Sequence, residues 1–265
     1  MGDSASVLEA TALRKTYGGR QVLDGIDLDV SQGETLVILG PSGCGKSTLL
    51  RCLVGLEKPD QGAVRIQGVD IFDADERILR GLRERIGMTF QGGALFGSMT
   101  LAGNIDVPLS EYTRLPRSTR RIVARIKLGL VGLEDALDRY PSELSGGMRK
   151  RAALARAMAL DPEILFCDEP SAGLDPITAA SLDQLLNQLK RVLDVTLLVV
   201  THEMASAFAI SDRIAMMHEG RIRISGTPEE VRASQDPVVR RFLDRVPRDS
   251  SRGEAGRGSF FGEST

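Results

Sequence analysis

Tryptophan is absent from the 265 residues, and aromatics make up only 4% of them. That argues against an aromatic-lined carbohydrate or single-stranded nucleic-acid surface. An excess of either charge is also missing: 34 Lys and Arg face 36 Asp and Glu, for a net charge of -2. Attachment to nucleic acid through bulk positive charge is therefore not expected. Cysteine is scarce. Cys44, Cys52 and Cys167 are odd in number, widely spaced and form no CxxC pair. Neither a disulfide framework nor a zinc site is expected, and reduced cytosolic thiols are the simple reading. Long apolar runs are lacking too. The longest uncharged stretch, Ile86 to Ile105, holds five glycines and five polar side chains in its twenty residues, too polar to span a bilayer. The opening MGDSASVLEA has no basic start and no apolar run, so no signal peptide is expected. Any membrane role has to run through a partner.

What is present reads as an α/β protein. Apolar residues at 42% and charged residues at 26% are ordinary for a globular chain of one or two domains. The 28 glycines hint at loops where backbone approaches something closely. Val7–Arg14 and Gln21–Val30 are predicted strands split by a Gly18-Gly19 turn. Thr35–Leu39 is a short apolar run followed by glycines and a predicted helix, Lys46–Leu56. Strand, glycine loop and helix open a βαβ unit. Ala63–Asp70 alternates again, Glu76–Arg85 suits a charged helix, and Ile86–Phe90 another strand. From about 92 to 160 the pattern turns helical, with Ile122, Ile126, Leu130 and Leu133 and then Met148, Ala152, Ala155 and Ala159 at helical spacing. Strands return at Ile164–Cys167, Thr196–Thr201 and Arg213–Met217, separated by predicted helices Ile177–Leu193 and Glu203–Ile210. This alternation predicts a parallel sheet covered on both faces.

The strongest motif is Gly40-Pro41-Ser42-Gly43-Cys44-Gly45-Lys46-Ser47-Thr48, which matches G-x-x-x-x-G-K-[ST] between a strand and a helix. Glycines let backbone N–H groups converge on a phosphate, and the helix N-terminus adds partial positive charge. Lys46 is expected to reach the β- and γ-phosphates, and the Ser47 hydroxyl to ligate Mg²⁺. Next, Ile164-Leu-Phe-Cys-Asp168-Glu169 is an apolar strand ending in two carboxylates. Asp168 is placed to hold the metal and Glu169 to accept a proton from an attacking water. A third motif, Leu144-Ser145-Gly146-Gly147-Met148, precedes a helix bearing Arg149, Lys150 and Arg151. Ser145 suits a helix cap, and the glycines leave N-terminal amides bare for a second anion. One chain rarely needs two such sites unless they serve two nucleotides.

In these motifs the chain resembles the ATP-binding subunit of ABC transporters, over roughly Val7–Leu243. Gly40–Thr48 is similar to Walker A, Leu144–Met148 to the signature and Ile164–Glu169 to Walker B. Gln91 stands where the Q-loop glutamine does, and Ala172-Gly173-Leu174-Asp175 resembles the D-loop. His202 resembles the switch histidine and Tyr17 the A-loop aromatic. The resemblance implies a P-loop NTPase with a mixed core sheet, an antiparallel β subdomain and a helical signature subdomain. It implies a nucleotide-binding domain over 6–244, its helical part about 92–160, while the Arg-, Gly- and Ser-rich composition of 245–265 predicts a flexible tail. It further implies ATP held at Tyr17, Gly40–Thr48 and, across a head-to-tail homodimer, Ser145–Met148 and Asp175. Mg²⁺ falls to Ser47, Gln91 and Asp168, and catalysis to Glu169, His202 and Gln91. Tyr17 has a second reading as packing a strand end, and His202 as a core histidine. Met148 departs from the commoner signature, which ends in glutamine, so that side chain's polar contact is weakened or replaced.

The subfamily resemblance rests on Leu144–Met148, Ser171-Ala-Gly-Leu-Asp-Pro-Ile-Thr178 and Asp236-Pro-Val-Val-Arg-Arg-Phe-Leu243. These are similar to the ATPases of Mla-like, MCE-associated lipid transporters. That implies a membrane permease and an MCE-type substrate-binding protein as partners, at the cytoplasmic face of a bacterial inner membrane, with no nucleic acid. The alternatives are the ATPase of a polar amino-acid importer and, from another class, a soluble ABC ATPase of translation or DNA repair. One P-loop and no sustained heptads speak against the latter. Two segments keep two readings each. Gly92–Ile105, with Leu95, Phe96, Met99 and Leu101, is either a permease surface or core packing. The tail, with Ser259-Phe260-Phe261-Gly262 near its end, either docks on the neighbouring subunit or is a frayed terminus.

Overall fold

The structure, a computed structural model, describes residues 6–244. The expected tail, with Phe260 and Phe261, lies outside the described residues. The chain opens on a hairpin of β1 (Ser6–Tyr17) and β2 (Arg20–Ser31). Gly18 and Gly19 at its turn have φ of 53° and 79°, the conformation whose twist suits a two-residue hairpin. After β3 (Thr35–Leu39) and α1 (Lys46–Leu53) come β4 (Gln61–Ile66) and β5 (Val69–Asp70). β4 pairs with β1 and with β5, completing an antiparallel sheet in the order β2-β1-β4-β5. The segment expected as one strand, 63–70, is therefore a tight hairpin turning at Gln67-Gly68.

The second sheet adds β6 (Ile86–Thr89), β7 (Ile164–Asp168), β8 (Thr196–Thr201), β9 (Arg213–His218) and β10 (Arg221–Gly226). Its order is β10-β9-β3-β8-β7-β6. All neighbours are parallel except β10, an antiparallel edge. Alternate side chains feed two cores. Leu36, Ile38, Phe166, Leu198 and Val200 pack with α1 and with Leu13, Leu23 and Ile26 of the small sheet. Val37, Leu39, Leu165, Cys167, Leu197 and Val199 pack on the opposite face. A strand buried on both faces is apolar at every position, which is why β3, β7 and β8 read as unbroken runs.

The remaining helices are α2 (Glu76–Glu84), α3 (Leu101–Tyr112), α4 (Arg117–Leu130), α5 (Gly146–Ala157), α6 (Pro176–Leu193), α7 (Met204–Ile210), α8 (Pro228–Ala233) and α9 (Pro237–Leu243). Within the 92–160 segment the helices α3 to α5 run from Leu101 to Ala157, and 92–100 are not helical. One face of it differs from expectation. Ile122 and Ile126 of α4 are 61% and 57% exposed, while Ala124, Lys127 and Leu128 are buried. Lys127 lays its aliphatic stem inward and brings its ammonium to Asp161. The spacing thus identified the helix but not its inner face. Helix α1 is shorter than expected, stopping at Leu53, with Gly55 at φ 75° behind it. The closing elements β10, α8 and α9 went unread in the sequence, although α8 and α9 are well capped. Thr227 and Glu230 form a reciprocal capping box, and Asp236 accepts from Val238 N at 2.7 Å.

Candidate functional site

Four loops leave the carboxyl ends of parallel strands at one edge of the large sheet, the usual ligand edge of such sheets. They carry Gly40–Thr48 after β3, Gln91 after β6, Asp168-Glu169 at the end of β7 and His202 after β8. Strand register brings these residues together. Thr89 pairs with Cys167 and Leu39 with Thr201.

The loop before α1 depends on its outer glycines. A Cβ at Gly40 would stand 2.3 Å from the Met217 carbonyl oxygen. Gly45 has φ 108°, and a Cβ there would meet Val22 O at 2.7 Å. Lys46 is buried, and its Nζ donates to the carbonyls of Gly40 at 2.8 Å and Pro41 at 3.1 Å. Ser47 follows it at the start of α1. Ser42, Gly43 and Cys44 share a cavity of about 640 Å³ with Tyr17, Arg20, Gln21, Val22, Glu219 and Gly220. Tyr17 is exposed there, and its hydroxyl hydrogen-bonds to the Glu57 carboxylate. That bond anchors one end of the ring, Lys15 Nζ lies over the ring at 5.6 Å from its centre, and an aromatic lining this cavity suits stacking on a planar base.

Asp168 Oδ1 is buried and has no hydrogen-bond partner. Burial first, then the neighbouring Glu169, pushes this carboxyl above its ordinary range. An unpartnered carboxylate oxygen at the same sheet edge as the loop that carries the Ser47 hydroxyl is a donor set that fits Mg²⁺. Among the described residues no cluster of three or more His, Cys, Asp or Glu could hold a metal. Mg²⁺ needs none, since one or two carboxylates with substrate phosphates usually suffice.

Glu169 adopts φ 47°, a left-handed conformation that costs a non-glycine residue about 1–2 kcal/mol. Its N–H donates to Val200 O at 2.8 Å, which pins the turn. The side chain is thereby directed onto β8. Glu169 Oε1 and Oε2 lie 2.8 and 2.9 Å from His202 Nδ1, and Thr201 Oγ1 donates to Oε2 at 3.2 Å. With Glu169 ionised, His202 Nδ1 is the donor, and its Nε2 points elsewhere. Lys46 Nζ is 4.0 Å from Glu169 Oε1. The sequence identified all three residues but not their contact.

Ser145, Gly146, Gly147 and Met148 open α5. Ser145 Oγ accepts from Met148 N at 3.3 Å. A Cβ on Gly147 would stand 2.7 Å from Thr178 Cγ2, so this glycine lets α6 approach. None of the four lines the cavity at Gly40–Thr48. Asp175 is placed at the head of α6, where its carboxylate caps the helix, accepting from Ile177 N at 3.1 Å, Thr178 N at 3.0 Å and Thr178 Oγ1 at 2.6 Å. These bonds hold its pKa below the ordinary range. A side chain so engaged shapes the loop.

The cysteines are all buried. Burial pushes the Cys52 thiol up to about 11 and the Cys167 thiol up to about 12, and raises that of Cys44. Cys44 is therefore not a reactive handle, because the thiolate is the nucleophile. The native chain is expected to give almost no fast reaction with an aromatic disulfide reagent at pH 8, and three thiols after denaturation. A fast native thiol would show that the loop around Cys44 opens.

A family model described as ABC transporter matches residues 23–172. The chain is 43% identical over 237 residues to the probable ribonucleotide transport ATP-binding protein Mkl of Mycobacterium leprae, covering 89% of this chain and 68% of that one. It is 40% identical over 242 residues to the intermembrane phospholipid transport system ATP-binding protein MlaF of Escherichia coli K12, covering 91% of this chain and 90% of that one. Its fold matches the dimeric, post-hydrolysis ATP-binding cassette MJ0796 bound to ADP and Pi, with a TM-score of 0.76 and 32% identity over 83% of this chain and 98% of that one.

Proposed function

The chain belongs to the ABC transporter family, and from that premise we propose that it drives a system moving phospholipid between bacterial membranes. It is an ATPase of transport type that works on ATP with Mg²⁺. The observation that carries the lipid reading is the extent of the MlaF match, which runs along nine-tenths of that protein. The match to the mycobacterial protein, whose name gives another cargo, leaves about a third of that chain outside.

In this reading Tyr17 stacks on adenine, and the amides of Gly40–Thr48 with Lys46 hold the β- and γ-phosphates. Ser47, Asp168 and Gln91 hold Mg²⁺, which when bound offsets charge on the phosphate oxygens. Glu169 accepts the proton of the attacking water, and His202 holds that carboxylate in place while its Nε2 reaches toward the γ-phosphate. A second copy supplies Ser145–Met148, whose helix N-terminus suits an anion. Asp175 fixes the loop next to that contact. The domain is read as 6–244 with its helical part over about 92–160.

No helix among the described residues is long and apolar enough to cross a membrane. Peripheral attachment to a permease at the cytoplasmic face of the inner membrane, together with an MCE-type binding protein, completes the proposal. The docking surface is the loop after Gln91. Phe96 is 47% exposed, Met99 of the same loop and Phe90 just before it are exposed too, whereas Leu101 and Ile105 are buried. The segment thus divides between the two readings the sequence left open. Phe96→Asp is expected to cut co-purification of the permease at least about tenfold, an ordinary loss for an aromatic anchor, with ATP affinity unchanged. Full assembly with this variant would move the docking surface elsewhere. Detergent capture of the complex, followed by lipid extraction, tests the cargo. Bound phospholipid and an MCE protein are expected; a soluble amino-acid-binding protein, or ribosomes, would overturn the reading.

A further inference from the structure

Two cations of α5 hold the loop that carries Gln91. Lys150 Nζ donates to the Gln91 carbonyl oxygen and, at 3.0 Å, to the Glu169 carbonyl oxygen. Farther along the helix, Arg156 donates to Ala94 O at 2.6 Å and Gly93 O at 3.0 Å. Its guanidinium lies 5.8 Å from the Phe96 ring centre. Asn104, buried at the start of α3, closes the far side. Its amide accepts from Phe96 N at 2.7 Å and donates to the carbonyls of Phe96, Met99 and Thr100.

These contacts differ in what they join. Arg156 and Asn104 bind within the loop or its immediate continuation, so each stiffens one segment. Lys150 joins two segments that meet only through the fold: the backbone behind Gln91 and the left-handed turn that aims Glu169. An ammonium suits this place. It is a compact charge with three donors and can sit between two carbonyl oxygens that would otherwise repel each other. Lys150 is only partly exposed, so water does not readily replace it.

We propose that Lys150 is a positioning residue for hydrolysis, whose ammonium sets the spacing between the Gln91 loop and the Glu169 turn. It touches neither nucleotide nor water in this scheme and acts through the two backbones. Because the same loop presents Phe96, a displacement there passes through Lys150 to the catalytic carboxylate. The proposal rests on the assignment of Glu169 as base and Gln91 as a metal-side group.

The test compares Lys150→Met, which keeps the stem and loses every donor, with Lys150→Arg, which keeps donors for both carbonyls. Turnover, equilibrium binding of a fluorescent ATP analogue and hydrogen exchange of backbone amides are measured on the full chain. Lys150→Met is expected to lower kcat by about 10–100-fold, the scale of a misplacement near 1 Å, with KM for ATP changed less than about twofold. Amides of 91–96 should exchange faster, and Lys150→Arg should restore most of kcat. Turnover of Lys150→Met within about twofold of wild type would overturn the proposal. So would parallel losses of kcat, ATP binding and global protection in both variants, since that marks a merely structural role. Glu169→Gln is run alongside. If Glu169→Gln is active, the base assignment fails and the proposal with it; if it is inactive while Lys150→Met is normal, only the role of Lys150 fails.

Discussion

Glu169→Gln lowers ATP turnover by about 10²–10⁴-fold, the contribution expected of a positioned general base, and leaves ATP affinity within about twofold. The structure explains why the two effects separate. Glu169 Oε1 and Oε2 accept from His202 Nδ1, and Oε2 from Thr201 Oγ1. An amide oxygen can still accept from one of them, so His202 keeps a partner and the turn keeps its shape. The left-handed φ of 47° costs glutamine about what it costs glutamate. What is lost is the ability to take a proton from water. Lys46, which reaches the phosphates in the proposed scheme, is unaltered, so binding survives. Phosphate release, a fluorescent-nucleotide titration and gel filtration with ATP check the three parts. The ATP-bound dimer should accumulate. Near-normal turnover would remove Glu169 from the role of base.

Lys46 and Glu169 were legible in sequence because each sits at the end of an apolar run whose next element is marked. Thr35–Leu39 gives way to glycines and then a helix; Ile164–Cys167 gives way to two acids. Such boundaries are local, and local patterns survive in a string of letters. The pairing of Glu169 with His202 was not legible. It depends on β7 and β8 lying side by side and on a backbone conformation that a glutamate rarely adopts. Lys150 was hidden for a related reason: its partners are backbone carbonyls, which carry no residue-type signal. The inner face of α4 was misplaced because Lys127 takes a buried position by its stem, so hydrophobicity alone pointed to Ile122 and Ile126. The capped starts of α8 and α9 were readable, with Thr-Pro-Glu-Glu and Asp-Pro-Val-Val as signals, but helices this short leave little periodicity behind them.

Ser145→Arg is expected to reduce turnover about 10²-fold or more, by removing anion contacts aimed at the transferring phosphoryl group, without blocking the first binding of ATP to the Gly40–Thr48 loop. Ser145 is exposed at the head of α5, and its Oγ caps Met148 N. Losing that cap costs about 0.5–2 kcal/mol of stability, and a cation at a helix N-terminus costs about 0.3–1 kcal/mol more. Both are small beside a typical folding free energy of about 5–15 kcal/mol. Ser145→Ala controls for the cap alone and should retain most activity. The decisive form of the test mixes two inactive chains, Lys46→Ala and Ser145→Arg. If each site joins the loop of one copy to the signature of the other, a mixed dimer contains one site with both defects and one site with none. If the signature serves its own chain, every site in the mixture carries a defect. The mixture is therefore expected to trap and hydrolyse ATP above the sum of its separate components, at up to about a quarter of the wild-type level for random pairing into twofold dimers. A mixture that does no better than that sum would place the signature's action within one chain and dissolve the head-to-tail arrangement.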